Sequence, residues 1–101
     1  MKLYERYLQQ NKSIDFPKEE HPSLKKRFNE NKIVITHRVD EEYNKYFKGN
    51  ILLTPFGFKV KVISVDKLKN IKESPYINEI PEEQIKEIGN KPVDLIRLKK
   101  I

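Results

Sequence analysis

Between Ile33 and Val65 the chain carries three short runs of β-branched and apolar residues, each bounded by turn formers. Ile33-Val34-Ile35-Thr36 leads into His37-Arg38. Ile51–Thr54 follows Lys48-Gly49-Asn50, and Phe58–Val65 follows Pro55-Phe56-Gly57. Runs of this length, rich in Ile, Val, Thr and Phe and alternating in polarity, build strands rather than helices. The tight Pro-Phe-Gly link makes the last two a hairpin, and Gly49 supplies a positive φ where the preceding turn needs one. In the first run Ile33 and Ile35 share one face, expected to be the core face, and Val34, Thr36 and Arg38 share the other. The last run changes phase. Phe58, Val60 and Val62 lie on one face, yet Ile63 and Val65 fall on the side of Lys59 and Lys61, so either a bulge sits near Val62 or the second half of the strand is covered on both sides.

The segments around these strands have helical signals. Leu3–Gln10 suits a short helix, part of an additional N-terminal segment at about residues 1–20, and Asn11–Pro17 reads as a link. A second helix opens at His21-Pro22-Ser23, with Ser23 as its N-cap and Leu24 and Phe28 on its inner face, and ends at Asn29-Glu30-Asn31. Asp40–Phe47 suits one or two turns, with Tyr43, Tyr46 and Phe47 inward. Pro81 opens a further helix whose buried stripe is Ile85 and Ile88 and whose stop is Gly89. Val93–Leu98 is a terminal strand, apolar on both faces apart from Asp94 and Arg97. The expected architecture is a single α+β domain over residues 1–101, a small and mostly antiparallel β-barrel with flanking short helices. Its expected core is Ile33, Ile35, Leu52, Val60, Val62, Ile85, Leu95 and Ile96.

Charge narrows the function classes. The formal net charge is +6, and 36% of residues are charged. Residues 1–38 hold nine basic and five acidic groups, and residues 59–72 hold five lysines against Asp66 alone. Two basic segments converging on one face would attract a polyanion. The chain has no cysteine, and its two histidines lie far apart, so neither a disulfide nor a metal site is expected, and no cofactor motif is present. Met1-Lys2-Leu3-Tyr4-Glu5 does not open a signal peptide, and no run approaches the roughly 20 apolar residues of a membrane span. A cytoplasmic protein without membrane association is expected.

Taken together, Ile35-Thr36-His37-Arg38, the aromatic segment to Phe47, Lys48-Gly49-Asn50-Ile51-Leu52, the lysine-bearing strand Lys59–Val65 and the helix Pro81–Ile88 resemble the ASCH family of the PUA-like superfamily. The resemblance covers roughly residues 30–100. It implies a small RNA-associated β-barrel that binds RNA or modified nucleotides in a cleft beside the barrel. Some small bacterial members are amidohydrolases of acetylated cytidine that use a Thr, a Lys and a Glu, with a strand ending Lys-x-x-Thr-x-Arg. Thr36 and Arg38 match that pattern. Ile33 occupies the lysine position, with Lys32 beside it, and Glu79 is the nearest carboxylate.

Three functions follow as expectations. The first is an RNA- or nucleotide-binding domain whose ligand meets Thr36, His37, Arg38, Tyr43, Lys59 and Lys61. Arg38 offers a planar fork for a phosphate or base edge, Tyr43 a stacking surface, and the lysines phosphate contacts. The second is a small amidohydrolase in which Thr36, Lys32 and Glu79 are catalytic, because a threonine hydroxyl needs an adjacent base to act as a nucleophile. The third is a protein-interaction factor of the phage or mobile-element kind. Each residue also has a plainer role: Thr36 as a strand former, Arg38 as the ion-pair partner of Asp40, Glu41 or Glu42, and the tyrosines as core.

Overall fold

The computed structural model describes residues 12–101, and the expected helix over Leu3–Gln10 lies outside them. Four strands, β1 (Val34–Arg38), β2 (Ile51–Leu53), β3 (Lys59–Leu68) and β4 (Val93–Lys100), form one antiparallel sheet in the order β1-β4-β3-β2. Two helices, α1 (His21–Asn29) and α2 (Glu82–Ile88), flank it. The α+β class and the antiparallel strands agree with expectation, but the barrel does not close. The sheet is open, with β1 and β2 at its edges. Four strands are too few to curl round a core of their own side chains, so each face is covered by separate elements instead.

The strand β4 is an inner strand covered on both faces, which explains its two-sided apolar pattern. Val93, Asp94, Leu95, Ile96 and Leu98 are all buried. On the first face Val34, Ile96, Leu98, Val62, Val60 and Leu52 meet Phe28 and Leu24 of α1, Ile14 and Tyr46. The ring of Phe28 lies 6.3, 6.1 and 5.8 Å from those of Phe16, Phe56 and Phe58, so one fully buried aromatic ties the helix to the link before it and to the β2–β3 hairpin. On the second face Ile71 and the short helical turns Ile71–Glu73 and Ile77–Glu79 cover the Val93–Leu95 end.

Several local expectations hold. Gly49 and Gly57 adopt φ values of 91° and 88° at the two turns, and the register of β3 against β4 shifts between Val62 and Ser64, which decides for a bulge between the two alternatives. Pro81 and Gly89 bracket α2, although Pro81 caps the helix rather than opening it.

Others are corrected. The facing of β1 is reversed. Val34 is buried with the main core, whereas Ile33 precedes the strand and is 53% exposed, and Ile35 is half-buried on the other face. A one-residue difference in phase exchanges every side chain of a strand between faces, and the larger apolar layer here lies over Val34. Ile85 is half-buried, because α2 spans seven residues at the rim and buries none of them fully. Ser23 lies inside α1 and donates back to the Glu20 carbonyl at 3.1 Å, so it does not cap the helix. Phe47 is 54% exposed, and of the expected inward aromatics only Tyr46 is fully buried. The segment Asp40–Phe47 contains a single helical turn, Asp40–Glu42.

Removing the shared aromatic should be felt throughout the first face. Phe28→Ala is expected to lower unfolding free energy by about 3–5 kcal/mol in urea denaturation, the range for truncating a buried aromatic.

Candidate functional site

A groove of about 810 Å³ runs along the outer side of β1. Its floor is Ile35–Val39. One wall comes from Phe16, Pro17 and α1, and the other from Tyr76, Ile80 and α2. Thr36, His37 and Arg38 of the expected binding set line it, as does Glu79 of the expected catalytic set. Lys32, Tyr43, Lys59 and Lys61 do not. Lys32 Nζ lies 3.5 Å from Glu30 and points to solvent, and Tyr43 lies under the ammonium of Lys67 at 4.6 Å.

Arg38 is the most constrained group of the groove, at 9% exposure. Nε donates to Thr36 Oγ1 at 3.0 Å, Nη2 to the Asp15 carbonyl at 2.7 Å, and Nη1 to Glu42 Oε2 in a short ion pair. The guanidinium also lies 5.1 Å from the Phe16 ring centre. Each guanidinium nitrogen thus has a partner inside the molecule. Glu42, one of the three anticipated ion-pair partners, also accepts from the Tyr46 hydroxyl at 2.9 Å. Burial alone would raise the Glu42 carboxyl, but the Arg38 hydrogen bond and charge, the Tyr46 hydroxyl and Lys45 together hold it below its ordinary 4.5. Burial, reinforced by the Glu42 carboxylate, pushes the Tyr46 hydroxyl far up.

The rest of the Asp40–Tyr46 segment is fixed in the same manner. Asp40 and Asn44 adopt φ values of 54° and 65°, conformations that Asp and Asn tolerate better than most residues. The fully buried Asp94 accepts from the Asn44 amide at 2.8 Å, and Lys67 Nζ lies 2.7 Å from its other oxygen, as an ion pair rather than an aligned hydrogen bond. Lys91 meets Asp40 at 3.2 Å.

His37 points to the opposite face, where Nε2 lies 2.8 Å from Ser74 Oγ, which also accepts from the Tyr76 amide at 3.1 Å. Burial lowers the His37 pKa from its ordinary 6.5.

The groove is acidic. Five glutamates line it against Arg27 and Arg38, and once Arg38 is paired with Glu42 the remaining acids are Glu19, Glu20, Glu79 and Glu87. The lysines gather elsewhere. Lys59 and Lys61 lie on the second face of the sheet, at the end that the Ile71–Ile88 segment leaves open. Lys61 stands directly opposite Lys99 in the β3–β4 pairing, and all three are exposed. Sequence reasoning missed Lys99. The signal was available, since alternation from Leu95 through Arg97 places Lys99 on the same face. Among the described residues the lysine ion pairs are made by Lys32, Lys45, Lys67 and Lys91, not by these three. The described residues contain no cluster of side chains suited to a metal ion, and no described helix is long and apolar enough to cross a membrane.

Comparison with family models, with curated proteins and with solved structures finds no match to this chain.

The shifts of His37 and Glu42 give stability a definite pH dependence on the acid side of neutrality. The unfolded chain protonates His37 near 6.5 while the folded protein resists, so that stability is lost as pH falls through the unfolded value toward the folded one. Glu42 adds a second loss as pH falls below 4.5. Urea midpoints should therefore decline from about pH 7.5 to about pH 4. In His37→Gln the upper part of that decline should shrink while the lower part persists.

Proposed function

We propose that the chain binds single-stranded RNA or a nucleotide polyanion on the open end of its sheet, through Lys59, Lys61 and Lys99. The observation that carries this reading is the Lys61–Lys99 pair. Like charges directly opposite one another in a sheet cost stability, and here they stand on an exposed face with no acid drawn in among the described residues to offset them. Lys59 lies two residues along the strand from Lys61, about 6.7 Å away. Together the three ammonium groups form a compact site for adjacent phosphates.

The exposed end carries Leu53 but no aromatic among its strand residues, so contacts there go to phosphate rather than to stacked bases. Binding is then electrostatic and largely independent of sequence. The resemblance to the ASCH family and its PUA-like relatives supports the same ligand class. It suggests a different place, the groove beside Thr36 and Arg38, but the groove's excess of glutamates repels phosphate and the Arg38 guanidinium is already engaged.

A second reading, amidohydrolysis of an acetylated cytidine-type nucleoside, draws on Thr36 and Glu79 lining one groove. It requires a lysine to activate the hydroxyl, and Lys32 is turned to Glu30. Binding is the better supported of the two.

The lysine site makes an unusual double prediction. Lys61→Glu should weaken binding of an oligouridylate by about tenfold or more at low salt, and with three phosphates engaged the wild-type slope of log K on log salt should be near −2. The same substitution should leave folding stability unchanged or raise it by about 0.5 kcal/mol, because it turns a like-charge pair into an attractive one. Titration by fluorescence anisotropy and urea denaturation measure the two. Affinity unchanged in Lys61→Glu would remove the lysine face as the site.

A further inference from the structure

We propose that the outer edge of β1 is a docking strip for an extended, basic peptide segment of a protein partner, which would add to the sheet as a fifth full strand. This inference is independent of the lysine site, which lies at the other end of the sheet on different strands.

The first ground is backbone pairing. The β2 edge is partly closed by the chain itself: Ser13 bridges Leu53 in parallel, Ile14 N–H donates to the Leu53 carbonyl at 2.9 Å, and Leu53 N–H to the Lys12 carbonyl at 3.0 Å. Among the described residues the β1 edge has no such cover, and no backbone group of Val34–Arg38 bonds outside the sheet. Alternate residues of an antiparallel strand direct N–H and C=O away from the neighbour, so β1 presents a row of donors and acceptors to the groove. Edge strands are usually protected by lysine, proline or a covering element. The sequence Val34-Ile35-Thr36-His37-Arg38 has neither lysine nor proline, and Arg38, its one charged residue, is folded inward.

The second ground is shape. The groove follows the strand from Ile35 to its end at Arg38 and no residue of β3 or β4 lines it, so its space lies beside β1 rather than beneath the sheet. Its volume of about 810 Å³ accommodates a short extended segment. A strand added there sends successive side chains alternately to the two walls.

The third ground is charge. Glu19 and Glu20 stand with Arg27 on the α1 wall and Glu79 and Glu87 on the α2 wall, all exposed, so acids outnumber bases on both walls and both sets of alternating side chains meet a net negative surface. Apolar ground between them, including Leu24, Ile80 and Ile88, suits the aliphatic stems of Lys and Arg. A nucleic acid is disfavoured by the same charges. The chemistry that fits is a peptide in extended form with neighbouring basic residues, held by main-chain bonds and selected by charge.

The test uses fluorescein-labelled Ac-Val-Lys-Arg-Thr-Lys-Arg-Val-amide, with two further versions N-methylated at odd or at even positions, and the folded chain. Saturable binding is expected, with shifts of the β1 backbone amides in NMR spectra. One N-methylated version should lose at least about tenfold in affinity and the other should retain it, because only one set of peptide N–H groups faces the sheet. Glu79→Gln/Glu87→Gln, at exposed positions where the fold is indifferent, should weaken the unmodified peptide by about fivefold. Absence of saturable binding would overturn the proposal. So would equal effects of the two methylation patterns, a double variant that binds as well as wild type, or an oligouridylate that shifts the β1 amides and displaces the peptide.

Discussion

A buried guanidinium must be paired, and in this protein the pairing of Arg38 determines how three separate stretches of chain meet. Its partners are the Thr36 hydroxyl on the same strand, the Asp15 carbonyl in the link before α1, and Glu42 in the loop after β1. Glu42 passes the constraint on to Tyr46, which is fully buried in the main core. Removing one member of such a set strands the others without water, which is why buried pairs are costly to break. Asp94 performs the complementary task from the central strand, holding Asn44 and Lys67. Between them the two charged residues fix the exit of β1 and the shape of the loop beside it.

That arrangement also distributes charge. With Arg38 committed inward, the groove beside β1 keeps mostly carboxylates, and the surplus of lysine is displayed on the other end of the sheet. The sheet remains open because four strands cannot close on themselves, and openness creates both surfaces at once: a bare face and a bare edge. The two proposals assign a polyanion to the first and an extended basic segment to the second.

Much of the local structure was legible in the sequence. Gly49, Gly57 and Gly89 marked turns and a helix end that occur with positive φ, and the change of phase in Phe58–Val65 marked the place of the irregularity, which the register shows to be a bulge. The facing of β1 was not legible. Alternation in Ile33-Val34-Ile35-Thr36 is symmetric in hydrophobicity, so it states which residues share a face but not which face is covered; the answer comes from Phe28, Tyr46 and Ile14, distant in the chain. Strand number and order were likewise set by long-range pairing, and nothing within β4 indicates that it stands at the centre except its two-sided apolar pattern. At the site, Thr36, His37 and Arg38 from the binding expectation and Glu79 from the amidohydrolase expectation line one groove, and Glu42 was among the anticipated partners of Arg38. The separation of Lys59 and Lys61 from them follows from sheet order, which single runs of sequence do not encode.

The central claim, that polyanion contact belongs to the lysine face and not to the groove, is tested most directly by mapping backbone amide shifts on addition of an oligouridylate at low salt. The account predicts that shifts concentrate at Lys59–Ile63 and Lys99–Ile101, with Ile35–Val39 and Tyr76–Ile80 unchanged. Shifts concentrated instead at Ile35–Val39 and Tyr76–Ile80 would contradict it and return the ligand to the groove around Arg38.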